Sequence, residues 1–285
     1  MGIDRSLWMT LDPAFAKEEM PATSIVTLTT DFGESDYYVG AMKGVILSIN
    51  PDALIVDLSH EIRPHDILDA AFLISRAYRY FPALTVHCIV VDPGVGTARR
   101  PLVASADGHY FVAPDNGVLS LICDRTEGVR VVQATAAHYF LSEVSQTFHG
   151  RDIFAPVTAW LSRGTQVDHF GDPVTDYVRF KMPKARLEGS NLVRGAIIQI
   201  DHFGNCITNI PPQLLPDFFS TPRPSFKFRV GTTSIQQICT AYGAGETNIP
   251  FVILGSSDFL EISLNRGSAA DNLKISRGAE VEVTW

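Results

Sequence analysis

Asp92 closes an apolar, β-branched run from Leu84 to Val91, inside the stretch Val90–Arg99 that reads V-V-D-P-G-V-G-T-A-R. Pro93, Gly94 and Gly96 force a sharp loop with little side-chain bulk after it. Arg99 returns seven residues later, a spacing that can carry its guanidinium back over the Asp92 carboxylate. A carboxylate so paired keeps its charge, and the guanidinium can hold an anion or orient water. The same pair also serves as an ion pair that braces the loop. Gly94-x-Gly96 lacks the third glycine of a dinucleotide fingerprint and does not open a clear helix.

Three further constellations can carry chemistry. Thr30-Asp31-Phe32-Gly33, with Asp36 five residues after Asp31, lies between a strand and a helix. A carboxylate there can accept hydrogen bonds from ribose hydroxyls or an amine, or it can simply cap the helix. His149, in Phe148-His149-Gly150-Arg151-Asp152, precedes a helix and is of a type that titrates near neutrality. It is equally a capping or surface histidine. In Asp201-His202-Phe203-Gly204-Asn205, Phe203 can stack on a flat ring, and Asn205 offers both donor and acceptor. A hairpin turn explains the same residues. Tyr242 in a Gly-rich loop, and Ser256 and Glu261 beyond the strand Phe251–Leu254, complete the set.

The elements that position these groups follow from patterning. Ser24–Leu28, Leu54–Leu58, Leu84–Val91 and Val129–Gln133 read as strands. Asp36–Ile49, Ile67–Tyr80, Val118–Cys123 and Ile153–Arg163 read as helices. Asp66 stands near the start of the second helix, where an acidic side chain is favourable. Pro101–Ala106 and Tyr110–Ala113 form a hairpin around Asp107-Gly108. Alternating strands and helices predict an α/β domain over 23–182, with a mostly parallel sheet covered on both faces. Residues 183–190 read as a linker. Residues 191–285 read as a small all-β domain, with strands at Val193–Asp201, Ser225–Val230, Phe251–Leu254, Leu260–Leu264 and Val281–Thr284 and little helix signal. Residues 1–22 read as a loose extension with no apolar signal segment.

The chain has 285 residues, 46% of them hydrophobic and 19% charged, with a net charge of −8. That acidic balance argues against a nucleic-acid partner, which needs a basic footprint. No apolar run is long enough to span a membrane. The cysteines Cys88, Cys123, Cys206 and Cys239 are far apart and form no zinc-type pair, which fits a reducing cytoplasm.

Taken together, T-T-D-F-G-x-x-D-x-x-V-G-x-M-K-G, V-D-P-G-V-G-T-x-R-R, P-D-N-G-x-L-S, T-F-H-G-R-D-I-F-A-P and D-H-F-G-N-x-I-T-N-I resemble the S-adenosylmethionine (SAM) hydrolases. These are also called SAM hydroxide adenosyltransferases and are relatives of the SAM-dependent fluorinase and chlorinase. The resemblance runs from Ser24 to the C-terminus in one order. It implies a Rossmann-like N-terminal domain, a small β-barrel C-terminal domain and a homotrimer with SAM bound between neighbouring subunits. By motif position it implies a catalytic set of Asp92, Arg99 and His149. It places Asp31 on the ribose hydroxyls, Asp201 at the ligand, Asp36 and Asn205 nearby and Phe203 against adenine. Tyr242, Ser256 and Glu261 also belong to the implied substrate site. Tyr38 and His65 depart from the fluorinase pattern at the methionine and ribose contacts.

The implied reaction is attack of water at the ribose C5′ of SAM, giving adenosine and methionine. Asp92 and His149 would orient the water and accept its proton. SAM is the substrate, and neither cofactor nor metal is expected. The halogenases carry a non-acidic residue where Asp92 stands, so the resemblance favours water over halide. A metal-dependent hydrolase using Asp31, Asp36, Asp92, His149 and His202, and a SAM or adenosine sensor without turnover, are the other readings.

Overall fold

The computed structural model describes residues 24–220, 222 and 224–285. The extension read over 1–22 lies outside the described residues. Two compact units divide after Lys181.

The first unit contains β1 (Ile25–Thr30), α1 (Tyr38–Ile49), β2 (Leu54–Ser59), α2 (Ile67–Ala77), β3 (Val86–Val90), β4 (Pro101–Ala106), β5 (His109–Pro114), α3 (Ser120–Cys123), β6 (Arg130–Gln133) and α4 (Ala155–Ser162). One six-stranded sheet runs β2-β1-β3-β5-β4-β6. Its first four strands are parallel, and β4 is antiparallel to both β5 and β6. The sheet is therefore mostly parallel, as the strand–helix alternation predicts, with an antiparallel part at the hairpin read around Asp107-Gly108. The cause is local. Asp107 and Gly108 both adopt positive φ, 51° and 77°, as a two-residue primed turn requires, and that turn sends β5 straight back along β4.

The α1 positions Val39, Met42 and Ile46 recur at helical spacing and are buried. Met42 and Ile46 join Val26, Leu28, Val86, Cys88, Phe154, Val157 and Leu161 in one core. α2 is capped by Asp66, whose side chain accepts from the Asp69 N–H, a contact typically worth about 1 kcal/mol. The helix read over Ile153–Arg163 begins differently from expectation: a π-helical turn, Gly150–Phe154, precedes α4. The helix read from Val118 is shortened to α3 because Asn116 and Gly117 hold a turn in front of it.

The second unit contains β7 (Arg186–Glu188), β8 (Leu192–Ile200), β9 (Cys206–Thr208), β10 (Lys227–Val230), β11 (Thr233–Ile235), β12 (Phe251–Leu254), β13 (Leu260–Ser263), α5 (Ala269–Leu273) and β14 (Glu280–Thr284). The strands are antiparallel in the order β11-β10-β14-β8-β9-β13-β12, with β7 on β8, and make a barrel-like sheet. Val193, Ile197, Phe226, Phe228, Leu260, Ile262, Val281 and Val283 fill it. Two expectations are corrected. The stretch read as linker, 183–190, carries β7, whose exposed residues show no apolar alternation but whose backbone pairs with β8. The low helix signal overlooked α5, a short helix capped by Ser268 accepting from the Asp271 N–H.

Candidate active site

Asp92 stands two residues beyond β3, where the loop turns on Val95 N–H to Asp92 O and Thr97 N–H to Gly94 O contacts. Gly96 has φ +75°, and a Cβ there would lie 2.2 Å from the Gln146 carbonyl oxygen. Only glycine allows the loop to press so closely on the segment that leads into His149. Arg99 then folds back as the spacing predicts. Its Nε donates to Asp92 Oδ1 at 2.9 Å, and its Nη2 pairs with Oδ2. Both side chains are buried. The same Nη2 lies 3.1 Å from His149 Nδ1, and the guanidinium sits over the Phe154 ring. Arg99 Nη1 is a buried donor with no protein partner.

These contacts fix the state of His149. With Arg99 donating, Nδ1 accepts, so the ring proton resides on Nε2. Burial, reinforced by the Arg99 charge and opposed by Asp92, lowers the His149 pKa from its ordinary value. His149 is thus a neutral Nε2–H donor near neutrality. In that state the ring offers a donor to a ligand, while Nδ1 is engaged by Arg99. The π-turn holds it: Asp152 is fully buried, accepts from the Ser145 N–H at 2.8 Å and pairs with Arg151. Asn116 donates to the Val91 carbonyl at 2.8 Å, while Arg100 grips Asp115. Asp152, Ser145 and Asn116 were not singled out from sequence, although P-D-N-G and F-H-G-R-D contain two of them.

Asp31 ends β1, with Oδ2 accepting from the His65 N–H at 2.8 Å. His65 adopts φ 68° to present that N–H. Asp31 Oδ1 remains for a ligand. Asp36 is exposed in the turn before α1. A cleft of about 330 Å³ between the T-D-F-G and F-H-G-R-D motifs is lined by Phe32, Tyr37, Tyr38, Thr147, Phe148 and Arg151, among others.

In the second unit, Asp201 Oδ1 accepts from the Phe203 and Asn205 N–H groups, and Oδ2 accepts from Asn205 Nδ2. Asp201 therefore shapes its own loop first, and the Asn205 amide is partly engaged. Phe203 is 74% exposed at the loop tip. Tyr242 Oη donates to Glu261 Oε2 at 2.8 Å, so Tyr242 is more than a turn aromatic. Burial and the Asp201 charge raise the Glu261 carboxyl above its usual range. Ser256 is exposed, whereas its neighbour Ser257 is buried with an unpartnered hydroxyl. Among the described residues, no three His, Cys, Asp or Glu side chains gather to hold a metal ion. No described helix is long and apolar enough to cross a membrane.

A Rossmann-like unit with a buried Asp–Arg–His set at a strand end, joined to a β-barrel-like unit, defines a two-unit enzyme of small polar molecules. The family models for the SAM hydroxide adenosyltransferase N-terminal and C-terminal domains match residues 26–171 and 195–282. The chain belongs to the SAM hydroxide adenosyltransferase family. It is 34% identical to the (R)-S-adenosyl-L-methionine hydrolase of Methanocaldococcus jannaschii, with 92% of this chain and 96% of that one covered. The Salinispora tropica protein of the same name is 35% identical, with coverage of 93% and 99%. A fluorinase from an Actinoplanes species is 28% identical, again with coverage of 93% and 99%. A crystal structure of an uncharacterized conserved protein from Thermotoga maritima superposes with a TM-score of 0.83 at 38% identity, covering 92% of this chain and 100% of that one.

Proposed function

We propose that this protein hydrolyses S-adenosyl-L-methionine at the ribose C5′, releasing adenosine and L-methionine. The observation that carries the reading is the single guanidinium of Arg99 tying Asp92 to His149, with Nη1 still unpartnered. Water attacks C5′ as the C5′–S bond breaks. The bonding pair leaves with sulfur as a neutral thioether, so no general acid is required. Asp92 is the one anionic group of the set and takes the water proton. His149 Nε2–H and Arg99 Nη1–H are donors that orient the water oxygen, and burial of the set strengthens both contacts. Asp31 Oδ1 accepts from a ribose hydroxyl. The resemblance supports Asp201, Asn205 and Phe203, with the Tyr242–Glu261 pair and Ser256, supplied by a neighbouring subunit, as contacts to the rest of the substrate, with Asp36 at its edge.

The anionic Asp92 disfavours a halide nucleophile at the same place, which supports water over the fluorinase reaction. The resemblance supports a homotrimer with SAM bound between subunits; light scattering should give three 31.3 kDa chains per particle. The buried, unpaired thiols among the described residues support a reducing, cytoplasmic setting. The reading needs no cofactor and no metal. The test is incubation with SAM in ¹⁸O-labelled water containing EDTA and chloride, with mass detection. Adenosine labelled at its 5′-oxygen, plus methionine, is expected. Intact SAM, activity lost to EDTA, or 5′-chloro-5′-deoxyadenosine would overturn it.

A further inference from the structure

At the end of β2, a buried polar chain lies outside the proposed chemistry. The His60 side chain is 2% exposed. Its Nδ1 lies 2.9 Å from Thr30 Oγ1, and its Nε2 lies 3.0 Å from Asp57 Oδ1. The Nε2 contact lies off the N–H axis, so it is a weak, poorly aligned hydrogen bond. Asp57 in turn holds Lys43. Burial raises the Asp57 carboxyl, but Lys43 and His60 outweigh it and keep it below its usual value.

In the neutral ring a carboxylate beside Nε2 favours the proton there, which leaves Nδ1 to accept from the Thr30 hydroxyl. Thr30 Oγ1 accepts from the Phe32 N–H at 3.3 Å, and the His60 carbonyl accepts from the Gly33 N–H at 2.9 Å. One residue thus grips the T-D-F-G turn on both sides of Asp31, while His65 N–H holds Asp31 itself.

We infer that His60 is a positioning residue for Asp31, acting through the Thr30 hydroxyl and the Gly33 amide to aim the carboxylate at the ligand. The inference rests on the proposed ribose contact of Asp31. Without the Nδ1 acceptor the turn has alternative conformations, and Asp31 must be ordered again at each binding event. Such a residue changes ligand binding before it changes the chemical step.

The test measures the Kd for adenosine and the KM and kcat for SAM in His60→Ala, His60→Asn and Thr30→Val, each also in an Asp31→Ala background. One lost hydrogen bond to the turn corresponds to a roughly tenfold weaker Kd and higher KM, with a smaller change in kcat. His60→Asn, whose amide oxygen can replace the Nδ1 acceptor, should recover most of the loss. In the Asp31→Ala background the His60 effect should vanish. Thr30→Val removes one hydroxyl at constant shape and covers the case in which His60→Ala does not fold. Unchanged Kd in Thr30→Val, or an equal loss with and without Asp31, overturns the proposal. If Asp31→Ala alone binds adenosine normally, the ribose contact fails, and the proposal with it.

Discussion

Replacing His87 with glutamine should remove a defined part of the acid sensitivity of the fold. His87 lies on β3 in the interior of the first unit. Its Nδ1 bonds to Thr27 Oγ1 at 2.7 Å, and its Nε2 faces His109 Nδ1 at 3.3 Å, with Tyr78, Phe81 and Phe111 packed around it. Burial first, and then the His109 charge, lower its pKa from 6.5 to about 3. The folded value is depressed, so below pH 6.5 the unfolded chain takes up a proton that the folded chain refuses until about pH 3. The stability this group contributes is complete above pH 6.5 and is lost as pH falls from 6.5 to 3. The linkage relation gives a loss of roughly 2 kcal/mol at pH 5 and about 4 kcal/mol by pH 3. Urea unfolding at pH 8 and pH 5, followed by circular dichroism, measures the difference. The wild type should lose roughly 2 kcal/mol more than His87→Gln between the two pH values. The comparison subtracts the titrating groups that lie away from His87; His109, whose pKa is also lowered by burial, touches it and is coupled to it. Equal losses in the two proteins would refute the reasoning, because they would mean that His87 is protonated in the fold or relaxes to admit water.

Asp92→Asn keeps the shape of the site but removes its anionic acceptor, so turnover should fall by ~10²-fold or more, while the Kd for adenosine stays within about twofold in calorimetry; a near-normal rate would remove Asp92 from the chemistry. The lowered His149 pKa extends the neutral ring to lower pH than a free imidazole allows. The acid limb of kcat/KM should therefore lie at lower pH than a free imidazole would give, and that limb should disappear in His149→Asn. Gly150→Ser would bring a Cβ to 3.2 Å from the Phe148 ring, 3.3 Å from Met42 Sδ and 3.4 Å from the Phe32 ring. These are side-chain atoms that can shift, so thermal unfolding should show a cost of about 1 kcal/mol; an unchanged melting temperature would mean that the packing around Gly150 gives way freely.

The sequence by itself determined what depends on neighbours along the chain. The apolar run before Asp92 and the glycines after it define a strand end and a sharp loop, and a seven-residue return brings Arg99 back to Asp92. Asp107-Gly108 defines a hairpin, since two positive φ angles in a row admit few other structures. The period of Val39, Met42 and Ile46 defines the buried face of α1. Motif order implied His149 as the third member of the set, but no spacing rule connects residues fifty positions apart.

Tertiary structure decided which atom of each group is free. Arg99 occupies His149 Nδ1, which leaves Nε2 as the ring atom that faces a ligand. Asp201 turns its carboxylate onto its own loop, and Tyr242 meets Glu261 across nineteen residues. The strand inside 183–190 exists because the first residues of β8 run beyond its pairing with β9 and leave backbone groups for β7, a property of the sheet and not of the exposed residues that fill it. His60 shows the same division. Its sequence context marks only a loop residue, while the grip on Thr30 and Gly33 arises because parallel pairing sets the ends of β1 and β2 side by side. Local backbone preference is written in adjacent residues. The donor, acceptor and charge state of a buried side chain are written in whatever the fold packs against it.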